Sequence, residues 1–170
     1  ILLSSVLLVL VLINFLGPSL VIRSENLLNI GKLILLGIFI IAGLSSPMPH
    51  THILSPENYT VSTFGIISGA MIIFLNYEGF ELIANAAREI REPRKSLPIA
   101  YMGGVILVMS IYALIAIVTV GHLSMEEVSQ YSTYSLSEAA RLSMGTPGFM
   151  MIGIAALLAT SSAINATFYS

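Results

Sequence analysis

Two carboxylates, Glu78 and Glu81, sit inside the apolar part of FLNYEGFELIANAAREIREPRKSLPIA, residues 74–100, ahead of its charged loop. Arg88 marks the end of the apolar stretch, so Glu81 lies roughly 10 Å and Glu78 roughly 15 Å in from it at 1.5 Å per residue. A carboxylate at the centre of a bilayer costs about 2.5–3.5 kcal/mol on insertion scales and persists where it faces a bundle interior or a wet cavity. Asn76 and Gly79 are weak helix formers, which lowers the cost of unwinding there. A helix broken at membrane depth is tolerated only where it lines a cavity. The carbonyls and half-helix ends freed by such a break hold substrates and ions. One reading is therefore an interruption over residues 75–80 that forms a binding site. The other is a continuous helix, with Gly79 for close packing and both glutamates turned to neighbouring helices or headgroups.

Lys32, in NIGKLILLGIFIIAGL, is the second group of interest. It follows Arg23 by nine residues, roughly 13 Å along a helix. Its stem reaches only several Å, so it either snorkels from a helix that starts later or serves a function at depth. Weaker features are His50 and His52, two residues apart with no third metal ligand evident and best read as a solvated loop. Asn58-Tyr59-Thr60 is a glycosylation sequon. Thr160, Ser161, Ser162 and Asn165 fall at membrane depth, where small and hydroxyl residues serve close helix packing. Met71, Phe74 and Phe80 read as packing residues, although Phe74 abuts the break.

The elements that position these groups follow from composition. Of 170 residues, 56% are hydrophobic and 9% charged, against about 25% charged in a soluble domain. Mean hydropathy is +0.92. The chain is read as an all-α polytopic membrane protein in contact with the lipid bilayer. Net charge is −2, so nothing points to nucleic acid, and the absence of cysteine excludes disulfide and thiolate chemistry. Without tryptophan, an aromatic belt must use Tyr and Phe. The first residues lack the positive region of a signal peptide, and the chain is expected to be a segment of a longer polytopic protein.

A spanning helix needs about 20 mostly apolar residues. The pattern predicts helices over about 1–20, 27–44, 61–87, 97–121 and 146–170, in a single transmembrane unit. Gly17-Pro18 closes the first, Pro47 and Pro49 follow the second, Pro93 follows the third, and Pro98 opens the fourth. Arg23 marks one loop, and Arg88, Arg91, Arg94 and Lys95 mark another. Loop 45–60 has no Lys or Arg, and loop 122–144 has only Arg141. Basic residues mark the cytoplasmic side, so loop 88–96 is expected inside and loops 45–60 and 122–144 outside. The last of these reads as an outer loop with short amphipathic helices, carrying Glu126, Glu127 and Glu138.

NYEGFELIANAAREIREPRKSLPIA resembles the sixth helix and following loop of amino acid–polyamine–organocation permeases. The family pattern is an aromatic, any residue and Gly-Phe-Glu, then Glu-x-x-Asn-Pro with basic residues and a Leu/Ile-Pro. Tyr77-Glu78-Gly79-Phe80-Glu81 and Glu89-Ile90-Arg91-Glu92-Pro93-Arg94-Lys95-Ser96-Leu97-Pro98 match it, with Glu92 where Asn or Asp is usual. The resemblance covers the whole chain as the fourth to eighth helices of a longer permease. It implies part of a five-plus-five inverted-repeat transporter fold with broken first and sixth helices. It also implies that the backbone of Phe74, Leu75, Asn76, Tyr77, Glu78 and Gly79 holds a substrate ammonium. The glycine-rich first helix, not in this chain, would hold the carboxylate, so the chain carries about half a binding site.

Lys32 corresponds in the resemblance to a fifth-helix lysine that takes the place of a sodium ion in sodium-coupled relatives, which favours sodium-independent transport. With Glu81 near the inner gate, it is the candidate coupling and gating residue. The expected function is secondary active transport of amino acids or related amines, by alternating access, coupled to protons or by exchange, at the cell membrane. A membrane-embedded enzyme or a non-transporting scaffold are the alternatives. An enzyme would need a third catalytic group near Glu78, and the sequence shows no HExxH, no phosphate loop and no cysteine. No catalytic residue, metal or cofactor is expected.

Overall fold

The computed structural model describes residues 18–50, 62–75 and 92–169. They form six helices: α1 Pro18–Ser45, α2 Thr63–Leu75, α3 Pro93–His122, α4 Met125–Gln130, α5 Ser135–Met144 and α6 Thr146–Tyr169. Three contain stretches long and apolar enough to cross a membrane: Glu25–Ser45, Pro93–His122 and Thr146–Asn165. The protein is an all-α polytopic membrane protein.

The chain divides into two compact units, residues 1–51 with 117–170, and residues 52–116. In the first, α1 packs on α6 and α5, and α5 packs on α6. α1 begins at Pro18, well ahead of the apolar stretch from residue 27. Proline suits a first turn because its missing N–H has no helical partner there. The longer helix brings Glu25, Asn29 and Lys32 into register at i, i+4 and i+7, one face of α1. The same stripe continues to the buried Phe39 and Gly43. Leu27, Ile34 and Ile41 lie on the opposite face and are exposed, as suits a face turned to lipid.

Gly31 lies against Leu158, while Glu25 meets Asn165. Contacts that advance along α6 as they retreat along α1 make the two helices antiparallel. Lipid removes most of the hydrophobic drive for helix pairing, so close approach and polar links must supply it. Both are present. A Cβ on Gly43 would collide with the side chain of Val118 in α3, and a Cβ on Gly148 would collide with the Ala140 carbonyl of α5.

α1 ends where Pro47 denies the Gly43 carbonyl its usual N–H partner. Ser46 Oγ donates to that carbonyl instead, at 3.1 Å. His50 N–H then donates to the Gly121 carbonyl at 3.1 Å, joining the turn to the end of α3. α4 starts on a capping box in which Ser124 and Glu127 satisfy each other's backbone N–H groups. Thus the 122–144 segment carries two short helices, α4 and α5.

In the second unit, α2 has 13 residues, none of them buried. Residues 76–91, on which the expected break and the continuation of this stretch fall, lie outside the described residues. α3 starts at Pro93 rather than at residue 97, and Pro98 lies inside it. Glu92 precedes it with φ 53°, and the Glu92 carbonyl accepts the first helical bonds from Lys95 and Ser96 N–H, at 3.0 and 3.1 Å. This is the left-handed conformation that Asn and Asp adopt more readily than Glu, which gives a physical reason for the Asn or Asp usual in the resembling pattern.

Candidate functional site

The α1 stripe and α6 build one polar cluster between two spans. Lys32 Nζ donates to Ser162 Oγ at 3.2 Å. The Ser162 hydroxyl faces two acceptors, Glu25 Oε1 and Asn29 Oδ1. A hydroxyl has one proton to give, and Glu25 is the closer. The Glu25 carboxylate also accepts from Asn29 Nδ2 at 2.9 Å and from Asn165 Nδ2 at 3.0 Å. Ser162 and Asn165 are buried, whereas Glu25, Asn29 and Lys32 are half-buried. Among the described residues no buried side-chain nitrogen or oxygen lacks a partner.

This arrangement keeps a cation and an anion apart with a hydroxyl between them. Asn29 and Asn165 each add one amide N–H donor to the Glu25 carboxyl. Ser162 gives Lys32 Nζ an acceptor on the neighbouring span. Thr160 behaves differently, donating back to the Ala156 carbonyl of its own helix at 2.9 Å. The packing role expected of the small residues of α6 therefore holds only part of the account, since Ser162 and Asn165 bond across to α1.

Of the residues expected from the resemblance, Lys32 is in this cluster. Phe74 and Leu75 end α2 and are exposed, beside an open apolar depression of about 450 Å³ also lined by Ile67, Ala70 and Met71. Asn76, Tyr77, Glu78, Gly79 and Glu81 lie outside the described residues. Glu25 and Asn29 were not singled out in the sequence. The signal that finds them is their i, i+4, i+7 spacing with Lys32, a polar stripe on an apolar helix.

A second polar group closes the other end of the same unit. His122 is buried, with Nδ1 2.9 Å from the Val118 carbonyl and Nε2 2.6 Å from Ser46 Oγ. On α5, Arg141 Nε donates to both Glu138 carboxylate oxygens at 2.9 Å. These bonds hold the Glu138 carboxyl below the usual carboxylate range. Glu127 is also held low, chiefly by the Ser124 backbone N–H and then by its hydroxyl. His50 Nε2 lies 4.0 Å from Glu127 Oε2. His52 lies outside the described residues.

The described residues thus define a polytopic helical membrane protein whose two antiparallel spans share a lysine-centred polar cluster. The chain belongs to the amino acid permease family, whose profile it matches over residues 1–170. It is 38% identical over 92% of its length to the uncharacterized protein MJ0609 of Methanocaldococcus jannaschii, 36% of which is covered. It is 33% identical over 95% of its length to the inner membrane transport protein YbaT of Escherichia coli, with 37% of that protein covered. Against the serine/threonine exchanger SteT of Bacillus subtilis it is 28% identical over 90% of its length, with 34% covered. The chain therefore spans a little over a third of the length of these relatives.

Proposed function

We propose that the chain is part of a secondary carrier that moves amino acids or related amines across the cell membrane by alternating access. Transport is independent of sodium and proceeds by proton coupling or exchange. The observation that carries this reading is the Lys32–Ser162 hydrogen bond. It holds a fixed cation between two spans, at a depth where a charge is kept only for use. Family membership and the serine/threonine exchanger among the relatives support amino acids as the substrate class.

In this reading residues 75–80 interrupt their span. The backbone of Phe74, Leu75, Asn76, Tyr77, Glu78 and Gly79 holds the substrate ammonium, and Glu81 works with Lys32 in coupling and gating. Loop 88–96 is cytoplasmic, and loops 45–60 and 122–144 are extracytoplasmic.

Uptake of an equimolar mixture of labelled standard amino acids into proteoliposomes of the full-length permease tests this. Replacing sodium by choline is expected to leave the rate unchanged. Lys32→Met is expected to insert normally but to lose net uptake by about tenfold or more, within the usual range of coupling between sites. Glu81→Gln is expected to flatten the pH profile more than it weakens substrate binding. Uptake that requires sodium, or wild-type uptake by Lys32→Met, would sink the reading.

A further inference from the structure

We propose that His122 is a proton-binding site, and that its protonation fastens the end of α1 to the end of α3 through Ser46. The inference stands apart from the transport reading above and rests on a count of hydrogens. Three polar contacts meet at this joint. His122 Nδ1 lies 2.9 Å from the Val118 carbonyl, His122 Nε2 lies 2.6 Å from Ser46 Oγ, and Ser46 Oγ lies 3.1 Å from the Gly43 carbonyl. A carbonyl only accepts, so Nδ1 and the Ser46 hydroxyl must each give a hydrogen to theirs, and the hydroxyl has no second one. The 2.6 Å contact is then a hydrogen bond only when Nε2 carries a hydrogen as well. A ring with hydrogens on both nitrogens is the imidazolium.

Each neutral form of the ring leaves one group without its partner. With the hydrogen on Nδ1, the Ser46 hydroxyl turns to Nε2 and deserts the Gly43 carbonyl. Gly43 is buried, and Pro47 has already removed the helical N–H that would serve that carbonyl. With the hydrogen on Nε2, the Nδ1 lone pair faces the Val118 carbonyl oxygen at 2.9 Å. A buried acceptor left bare costs its desolvation in full. A proton taken from water forms the missing N–H bond, and all three contacts then become hydrogen bonds. The opposing cost is a charge on a buried ring. Bonds from a charged donor are stronger than neutral ones, and the ring lies where they are reinforced. α1 ends at Ser45 and α3 at His122 itself, so the carbonyl ends of two helix dipoles converge there, and such ends favour a cation.

The turn after α1 follows whatever Ser46 does. His50 N–H donates to the Gly121 carbonyl at 3.1 Å, and the Met48 side chain fills the space that a Cβ on Gly121 would need. The charged groups nearby are engaged elsewhere. On α1, Arg23, Glu25 and Lys32 lie three turns or more before Gly43, at least roughly 16 Å along the axis. On α3, Tyr112 lies ten residues before His122. His50, on the turn, faces Glu127 of α4 at 4.0 Å, and Glu126 is exposed. On α5, Glu138 and Arg141 pair with each other. Among the described residues His122 makes no ion pair. The bound proton therefore acts through the Ser46 joint. Its stabilisation is present at low pH and is lost as pH rises through the range in which histidine changes charge, about pH 5–8.

Hydrogen exchange of the full-length permease in lipid nanodiscs tests this, read by mass spectrometry over residues 44–50 and corrected for the intrinsic rate. The pH runs from about 5 to 8, the histidine range, which is above the range in which Glu127 and Glu138, both held low, take up protons. In wild type, protection of the Ser46 and His50 amides is expected to be about tenfold higher at the acid end, the scale of one hydrogen bond to a charged group. His122→Gln keeps a neutral donor toward Ser46 and is expected to abolish the pH dependence. Ser46→Ala should do the same with low protection throughout, whereas Ser46→Thr keeps the hydroxyl and should retain the pH dependence. His50→Gln should retain it too. Equal protection across pH in wild type overturns the proposal. So does a pH dependence that survives in His122→Gln and vanishes in His50→Gln, which would place the proton on the pair with Glu127. If His122→Gln fails to fold, the Ser46 variants decide: a wild-type pH dependence in Ser46→Ala overturns the joint.

Discussion

Lys32 and Ser162 stand 130 residues apart in the chain, and a hydrogen bond of 3.2 Å joins them across α1 and α6. In water such a bond competes with hydration of the ammonium; between spans the alternative is a cation without an acceptor. Cycles of interhelical polar pairs in membrane proteins average about 0.6 kcal/mol, with a maximum of about 1.7. We expect Lys32→Met, Ser162→Ala and the double variant to show a coupling energy of about 1 kcal/mol in reversible unfolding from bicelles. Additive effects would mean that the two side chains are neighbours without being partners.

Gly43 and Val118 set how closely α1 approaches the end of α3. Val118 is fully buried, and any Cβ on Gly43 would overlap it. Gly43→Ala is expected to destabilise the protein by about 1–3 kcal/mol through overpacking. Val118→Ala alone should also lower the melting temperature in detergent, yet added to Gly43→Ala it should raise it. A melting temperature unmoved by Gly43→Ala would show that the helices have room to separate there.

Glu92 holds a positive φ of 53° immediately before α3, and its side chain makes an exposed ion pair with Lys95 at 3.1 Å. An exposed pair of this kind contributes little, whereas a left-handed backbone costs a non-glycine residue about 1–2 kcal/mol. Asn tolerates that conformation better and caps helices well. Glu92→Asn is expected to stabilise the protein by about 0.5–1 kcal/mol, read as an upward shift of the thermal midpoint. A downward shift would show that the Lys95 pair outweighs the strain.

Glu138 and Glu127 give the segment between α3 and α6 an acid sensitivity. Both carboxyls are held below their usual values, by Arg141 and by Ser124 respectively. A group whose folded value is lowered stabilises the fold above its unfolded value, about 4.3 for glutamate. That contribution is lost as pH falls further, through the lowered folded value. Backbone amides of α4 and α5 should therefore exchange hydrogen faster as pH drops below about 4, after correction for the intrinsic rate. Glu138→Gln should show faster exchange in α5 already at neutral pH and less change on acidification. The opposite trend, protection rising in acid, would contradict the Arg141 pairing.

Composition and hydropathy alone were enough to read an all-α polytopic membrane protein, because the cost of charge in lipid acts on every residue separately. The same local cost made Lys32 stand out in an apolar run. Pro93 and Pro98 likewise announced a boundary, since proline acts on its own turn. Glu25 was not legible in this way. The apolar window starts near residue 27, so Glu25 reads as loop until α1 is seen to begin at Pro18. A helix can extend past its apolar part wherever polar side chains on its inner stripe find partners. Those partners, Ser162 and Asn165, lie 137 and 140 residues away on another helix. No pattern within α1 specifies which helix packs on it or in what register. That register was decided by the close approach at Gly31 and Leu158 together with the need of every buried polar atom for a partner, and so the polar cluster became visible only in the tertiary structure.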